Sequence, residues 1–178
     1  MGKSLSKNRG TTFERYIVDY LNEIGSFNDK YLAKRIWYSG AGLQEPMDVA
    51  IELKISHHRI MEIEAKRSIS SNSMSIQQEW LDEIGKRPRH IIVLAVGRAD
   101  NKGTKMFMIT DPHYVNEAYE CKDQVKMKPT AKSVSVNKKR LEAGRFLLID
   151  KNEKIYYVHS FNEWANGGFH GLDRPETR

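Results

Sequence analysis

The sequence predicts an α/β (α+β) domain, a mixed central β-sheet flanked by helices, with a C-terminal β-hairpin extension. Three observations predict it. Residues 11–24 repeat apolar side chains at helical spacing, and 90–96 (HIIVLAV) is an unbroken apolar run of the kind found in a strand buried on both faces. Between and beyond them, strand-like and helix-like segments follow one another in the order α-β-β-β-α-β-β-α, which calls for a sheet with helices packed on it.

The elements follow in chain order. In 11–24 the apolar face is Phe13, Ile17, Tyr20, Leu21 and Ile24; Thr11 or Thr12 is the expected N-cap, Glu14 falls in the first turn, and Gly25 is the expected stop. YLAKRIWY (31–38) reads as a strand and SGAG (39–42) as a loop. Pro46 opens a short strand, MDVAIEL, and a turn carrying His57 and His58 leads to the strand RIMEIEAK (59–66). Ser68 to Ser75 is a serine-rich connection able to supply a helix cap, and Ile76, Trp80, Leu81 and Ile84 keep helical spacing up to Gly85 and Pro88. KMFMIT (105–110) is the expected hairpin partner of 90–96, and DPHYVNEAYE a short helix with Asp111 at its start. RFLLID and KIYYVHS then flank a turn at Lys151 and Asn152, FNEWANGG caps that hairpin, and GLDRPETR reads as a frayed tail.

The chain has 178 residues, 39% hydrophobic and 29% charged, which suits one globular domain with a core and excludes the disordered class. The expected organisation is a basic N-terminal arm (1–10), a core domain (11–119), and a basic segment with the hairpin extension (120–178) packed on the same domain. No apolar run reaches the ~20 residues that span a bilayer, so no membrane association is expected. A lone cysteine, Cys121, cannot staple a fold, and a reducing cytoplasmic compartment is expected. The net charge of +6 favours a polyanionic partner. Its cations concentrate in Lys3, Lys7 and Arg9 and again from Lys122 to Arg140; either run is a nucleic-acid contact or a solvated face.

The chemistry points to 59–66. Strand alternation puts Glu62, Glu64 and Lys66 on one face and Met61, Ile63 and Ala65 on the other. Two acids and a lysine on a strand with an apolar back are costly unless that face meets water, a metal or each other. Asp48, in the preceding short strand, is placed to meet Glu64 across a hairpin. Close carboxylates repel, and a divalent cation relieves the repulsion; oxygen donors with no clustered Cys or His favour Mg²⁺, with Mn²⁺ as a substitute.

Pro46-Met47-Asp48 followed by Glu64-Ala65-Lys66 resembles the PD-(D/E)xK nuclease signature, with Met47 inserted between Pro and Asp. A basic Lys7-x-Arg9-Gly10, a helix carrying Phe13-Glu14-Arg15, a Ser39-Gly40 loop and the order of the following elements extend the likeness. Over roughly 7–110 the layout is similar to the archaeal-type Holliday junction resolvases and their viral relatives; the remainder has no such counterpart. The resemblance implies a restriction-endonuclease-like core and hydrolysis of DNA phosphodiesters, most naturally paired symmetric nicks in four-way junctions by a homodimer. It implies that Asp48 and Glu64 hold the metal with Glu14 assisting directly or through water. Lys66 is then placed to polarise the scissile phosphate and to position or deprotonate the attacking water. Lys7, Arg9, Arg15, Arg35, Ser39 and Arg67 are the candidate DNA contacts, with Lys34 behind them.

Blander readings compete. Glu14 is otherwise an ordinary first-turn acid, Asp48 and Glu64 a solvent-facing pair, Lys66 a surface counter-charge and Ser39 a turn former. Gln77 and Gln78 either face the site or lie on a helix surface; His57 and His58 are expected exposed, and Trp37, Trp80 and Trp164 in the core. The competing functions are a nuclease of the same fold acting in repair, restriction or phage DNA processing, and a DNA-binding module whose acids are structural.

Overall fold

A computed structural model describes residues 4–36, 48–68, 72–84, 86, 89–96, 104–115 and 120–167, without the side chains of 4–11 and Tyr114. Its centre is a mixed sheet. The strands are β1 (Tyr31–Arg35), β2 (Val49–Leu53), β3 (Arg59–Ser68), β5 (His90–Val96), β6 (Met106–Thr110), β7 (Gln124–Lys126), β9 (Phe146–Ile149) and β10 (Ile155–Ser160), in the spatial order β1-β2-β3-β5-β6-β10-β9-β7. Only β3/β5 and β7/β9 pair parallel within it. β4 (Ser73–Gln77) and β8 (Ser133–Asn137) form a separate antiparallel ribbon.

The sheet is covered on both faces, and β5 shows why its sequence has no polar interruption. Ile91, Val93 and Ala95 join a core with Met61 and Ile63, packed under α1 (Ser4–Glu23), α2 (Gly25–Asn28) and α5 (Phe161–Asn166). Ile92, Leu94 and Val96 join a second core with Met74, Ile76 and Val136 of the ribbon, Leu81 of α3 (Gln78–Glu83) and Leu141 of α4 (Lys138–Ala143). Phe13, Ile17 and Leu21 of α1 are fully buried, each contributing about 1.5–3 kcal/mol by leaving water.

Several sequence expectations change. The first helix begins at Ser4, so residues 4–10 are helical, Thr11 and Thr12 are not caps, and Glu14 sits mid-helix. The stretch 5–9 holds no proline or β-branched residue, and one interior glycine at position 10 costs only about 1 kcal/mol. The helix stops at Glu23, and Gly25 opens a short second helix instead of terminating the first. The serine-rich connection ends in strand β4, not a helix cap. Met74 and Ile76 point into the core and Ser75 points out, so a two-residue period overrides the helical spacing expected from Ile76. Helix α3 therefore starts at Gln78, capped by Gln77 with no side-chain bond.

The basic segment from 120 supplies β7, the ribbon strand β8, and α4, which ends at Gly144 in the left-handed conformation that glycine adopts freely. The C-terminal hairpin forms as expected, but it is not an extension, because β10 pairs with β6 inside the main sheet. Where a helix is expected from 111, the described residues form a 3-10 turn (Pro112–Tyr114) capped by the Asp111 carboxylate, and 116–119 lie outside the described residues. Among the described residues, no helix is long and apolar enough to cross a membrane.

Candidate active site at the edge of the third strand

β2 and β3 are antiparallel, with Val49 opposite Ile63. One residue earlier, Asp48 is pinned on both sides: its N–H donates to Ile63 O at 3.0 Å, and its carbonyl accepts from Ile36 N at 3.0 Å. Its side chain then takes over from the ladder. Asp48 Oδ2 accepts from the Ala65 backbone N–H at 2.8 Å, so the carboxylate lies against β3 between Glu64 and Lys66. The hairpin thus brings the Asp48 and Glu64-Ala65-Lys66 segments together, as their spacing predicts.

On β3, Met61 and Ile63 enter the core while Glu62, Glu64 and Lys66 share the opposite face. Glu64 is 8% exposed and forms an ion pair with Lys66. Its second oxygen, Oε2, is buried with no hydrogen-bond partner and faces His90 Nε2 at 3.8 Å, too long for a hydrogen bond. The His90 ring comes from the neighbouring parallel strand and is fully buried. Lys66 Nζ lies 5.3 Å from the centre of the Trp80 ring on α3, within cation–π range.

Glu14 approaches from α1. Its Oε2 accepts from Arg35 Nε (2.9 Å) and Nη2 (2.7 Å), a forked contact in which both side chains are largely shielded. The electrostatics tie these residues into one unit. Burial pushes the Asp48 carboxyl up to about 6, and the negative charges of Glu14 and Glu64 add to the rise against the Ala65 N–H and Lys66. Burial also opposes the ionisation of Glu64, but His90 and Lys66 outweigh it and hold its carboxyl below the usual value. The two acids therefore differ: Glu64 is secured as the anion, whereas Asp48 keeps its proton up to about pH 6.

This donor set suits a hard divalent cation. Asp48 keeps one oxygen outside its bond to Ala65, Glu64 has an unpartnered oxygen, and Mg²⁺ is commonly held by one or two carboxylates with substrate and water completing its shell. Among the described residues, no group of three or more His, Cys, Asp or Glu is gathered tightly enough to hold a metal. Glu14, expected to assist directly or through water, is not gathered with Asp48 and Glu64 into such a group. Glu14 is drawn to Arg35, which leaves Asp48 and Glu64 as the donor pair.

The other candidates disperse. Arg35 stands at the site, engaged by Glu14. Lys34 pairs with Glu52 at 2.6 Å. Arg15 is exposed on α1 and Arg67 half-buried on β3. Ser39, Pro46, Met47 and Trp37 lie outside the described residues, as do the side chains of Lys7 and Arg9. His57 and His58 are exposed in the turn, as expected. Trp80 and Trp164 are half-buried against the two cores. Gln78 is neither a site residue nor a surface one: it is buried and donates to Asp82 and Asp150, each at 2.8 Å.

Sequence reasoning missed His90. Its one signal was a lone polar residue heading the apolar run next to an acid-bearing strand, and only the parallel register shows that it meets Glu64. No family model, curated protein or solved structure gives a match to this chain.

Proposed function

We propose that this chain is a Mg²⁺-dependent endonuclease that hydrolyses DNA phosphodiesters, acting as a homodimer on four-way junctions. One observation carries the reading: the Asp48 carboxylate is seated on the Ala65 N–H, between an anionic Glu64 and the Lys66 ammonium. A structural acid gains nothing from a place that disfavours its charge, whereas a metal donor regains the penalty on binding.

A divalent ion held by Asp48 and Glu64 would add positive charge at the phosphate and make a nearby water more acidic. The chain's own groups do the rest. Asp48 and Glu64 fix the donor positions from two strands of one rigid hairpin. Trp80 and Glu64 hold the Lys66 ammonium at the same edge, where Nζ can bind a phosphate oxygen and orient the attacking water. Arg35 restrains Glu14, whose charge raises the need for a cation at Asp48. The restriction-endonuclease-like character of the core, the junction substrate and the dimer follow the sequence resemblance, since a junction with two-fold symmetry requires two symmetric cuts and a two-fold protein supplies two sites.

The test is a labelled immobile four-way junction incubated with protein and Mg²⁺, beside linear duplex and flap substrates. Paired symmetric nicks in the junction, absent without Mg²⁺ and in Asp48→Asn, are the expected result. Cutting of duplex or flap alone would keep the chemistry and replace the substrate. Absence of cleavage with both Mg²⁺ and Mn²⁺ on every substrate, or full activity in Asp48→Asn, overturns the assignment.

A further inference from the structure

The ribbon of β4 and β8 has two unlike faces. Met74, Ile76 and Val136 are buried, with Val134 partly so, and seat one face on the core. The alternate positions make the other: Ser73 opposite Asn137, Ser75 opposite Ser135, and Gln77 opposite Ser133. That outer face carries four serines, one asparagine and one glutamine, with no charge and no bulky apolar group. Cations stand at both ends of β8. Lys132 precedes it and Lys138 and Lys139 follow, all exposed. Over 122–140 there are seven Lys or Arg against one acid, Asp123, which is itself paired with Arg140.

Position adds to composition. Ser68 Oγ donates to Ser73 O at 2.9 Å, only two residues beyond Lys66. The Ser73–Asn137 end of the ribbon therefore borders the proposed catalytic edge, and Lys66 shares its side of the sheet with the core on which the ribbon sits.

We infer that the outer face of the β4/β8 ribbon is a docking surface for the sugar-phosphate backbone of duplex DNA, an inference that rests on the nuclease reading. Short hydroxyl and amide side chains leave a low surface on which a backbone can lie close, each offering a donor to phosphate oxygens. Lys132 and Lys138 are separated by six residues of largely extended chain, roughly 20 Å, so they reach phosphates several nucleotides apart. A two-stranded ribbon is also narrow enough for the major groove, about 12 Å wide. A duplex held there has the Ser73 end of the face toward the strand that carries Lys66.

The experiment measures binding of labelled duplex and junction DNA to metal-free Asp48→Asn protein across a salt series, with and without Lys132→Gln/Lys138→Gln/Lys139→Gln. A second variant, Ser75→Asp/Ser135→Asp, puts negative charge in the middle of the face, and melting curves confirm that both fold. The triple variant should bind at least about tenfold more weakly, with a log–log salt slope smaller by about 2 to 3, near 0.9 for each lost phosphate contact. The serine variant should weaken binding comparably. An unchanged slope in the triple variant overturns the inference. So does intact binding with loss of self-association, which would make the ribbon a surface for a second copy. Because binding is read without metal, a wild-type protein that binds through the ribbon and cuts nothing sinks the nuclease reading alone; one that cuts junctions while its slope ignores these lysines sinks the ribbon alone.

Discussion

Asp48 and Glu64 leave opposite signatures on stability, and the signs follow from their shifts. The Asp48 carboxyl is raised from 3.8 to about 6, so between those values the folded chain holds a proton that the unfolded chain has lost. Stability from this group therefore falls as pH rises from about 4 to 6, and stays lower above. Glu64 is lowered, so its contribution is present above its ordinary value of 4.5 and is lost as pH falls through the folded value. Relative to Asp48→Asn, the metal-free wild type should lose melting temperature between pH 4 and 6.5, and Mg²⁺ at pH 7 should restore it in the wild type only. Parallel melting profiles for the two proteins, with and without Mg²⁺, would remove Asp48 from the proposed metal site. His90 makes a second prediction at this scale. His90→Leu removes one of the two groups that hold Glu64 anionic, so the Glu64 carboxyl, followed by NMR, should titrate at higher pH than in the wild type; an unmoved titration would leave Lys66 as the sole cause.

At the scale of elements, Asp150 is the joint between the C-terminal hairpin and the ribbon layer. Its carboxylate, 1% exposed, accepts from Asn152 N at 2.8 Å and Lys154 N at 2.9 Å, shaping a turn in which Glu153 takes a left-handed φ of 64°. The same carboxylate accepts from Gln78 Nε2 at the start of α3. Asp150→Ala removes the buried acceptor that these three donors share and should cost about 3 kcal/mol in a denaturant titration, while Asp82→Ala, at an exposed position, should cost under about 1 kcal/mol. Equal costs would show that the joint carries no special weight. This joint also marks how far the sequence could be read. The hairpin strands around 150 were legible as two apolar runs flanking a turn at Lys151 and Asn152, but the pairing of Gln78 with a residue 72 positions away is a long-range fact with no local signal. The Asp48/Glu64-Ala65-Lys66 meeting was legible because one short hairpin brings it about. The ribbon was not, since Met74-Ser-Ile76 is too short to separate a strand from the helix that follows, and its partner lies in a segment whose lysines masked the alternation of Val134 and Val136.

For the whole molecule, the residues on the two sides of 119/120 share one sheet, with β10 paired to β6. The division at 119/120 would remove β7, β9 and β10 from the sheet, strip β6 of its neighbour β10, and leave β4 without β8. It would also uncover Ile92, Leu94, Phe107 and Ile109, which share a core with Val136 and Leu141 of the ribbon layer and with Phe146, Leu148, Tyr156 and Val158 of the neighbouring strands. An exposed β6 edge and a bared apolar sheet face are together an aggregation surface. A chain ended at 119 should therefore be insoluble or lack cooperative melting, although it retains Glu14, Asp48, Glu64 and Lys66. The full chain should melt in one transition that followed Trp fluorescence and far-UV circular dichroism report alike. A soluble 1–119 fragment that melts cooperatively and cuts DNA would show instead that the residues after 119 only lie against a complete nuclease. In that event the second core would be an accessory layer, and the hairpin that carries Asp48 and Glu64 would need nothing beyond α1 and its neighbouring strands to hold its shape.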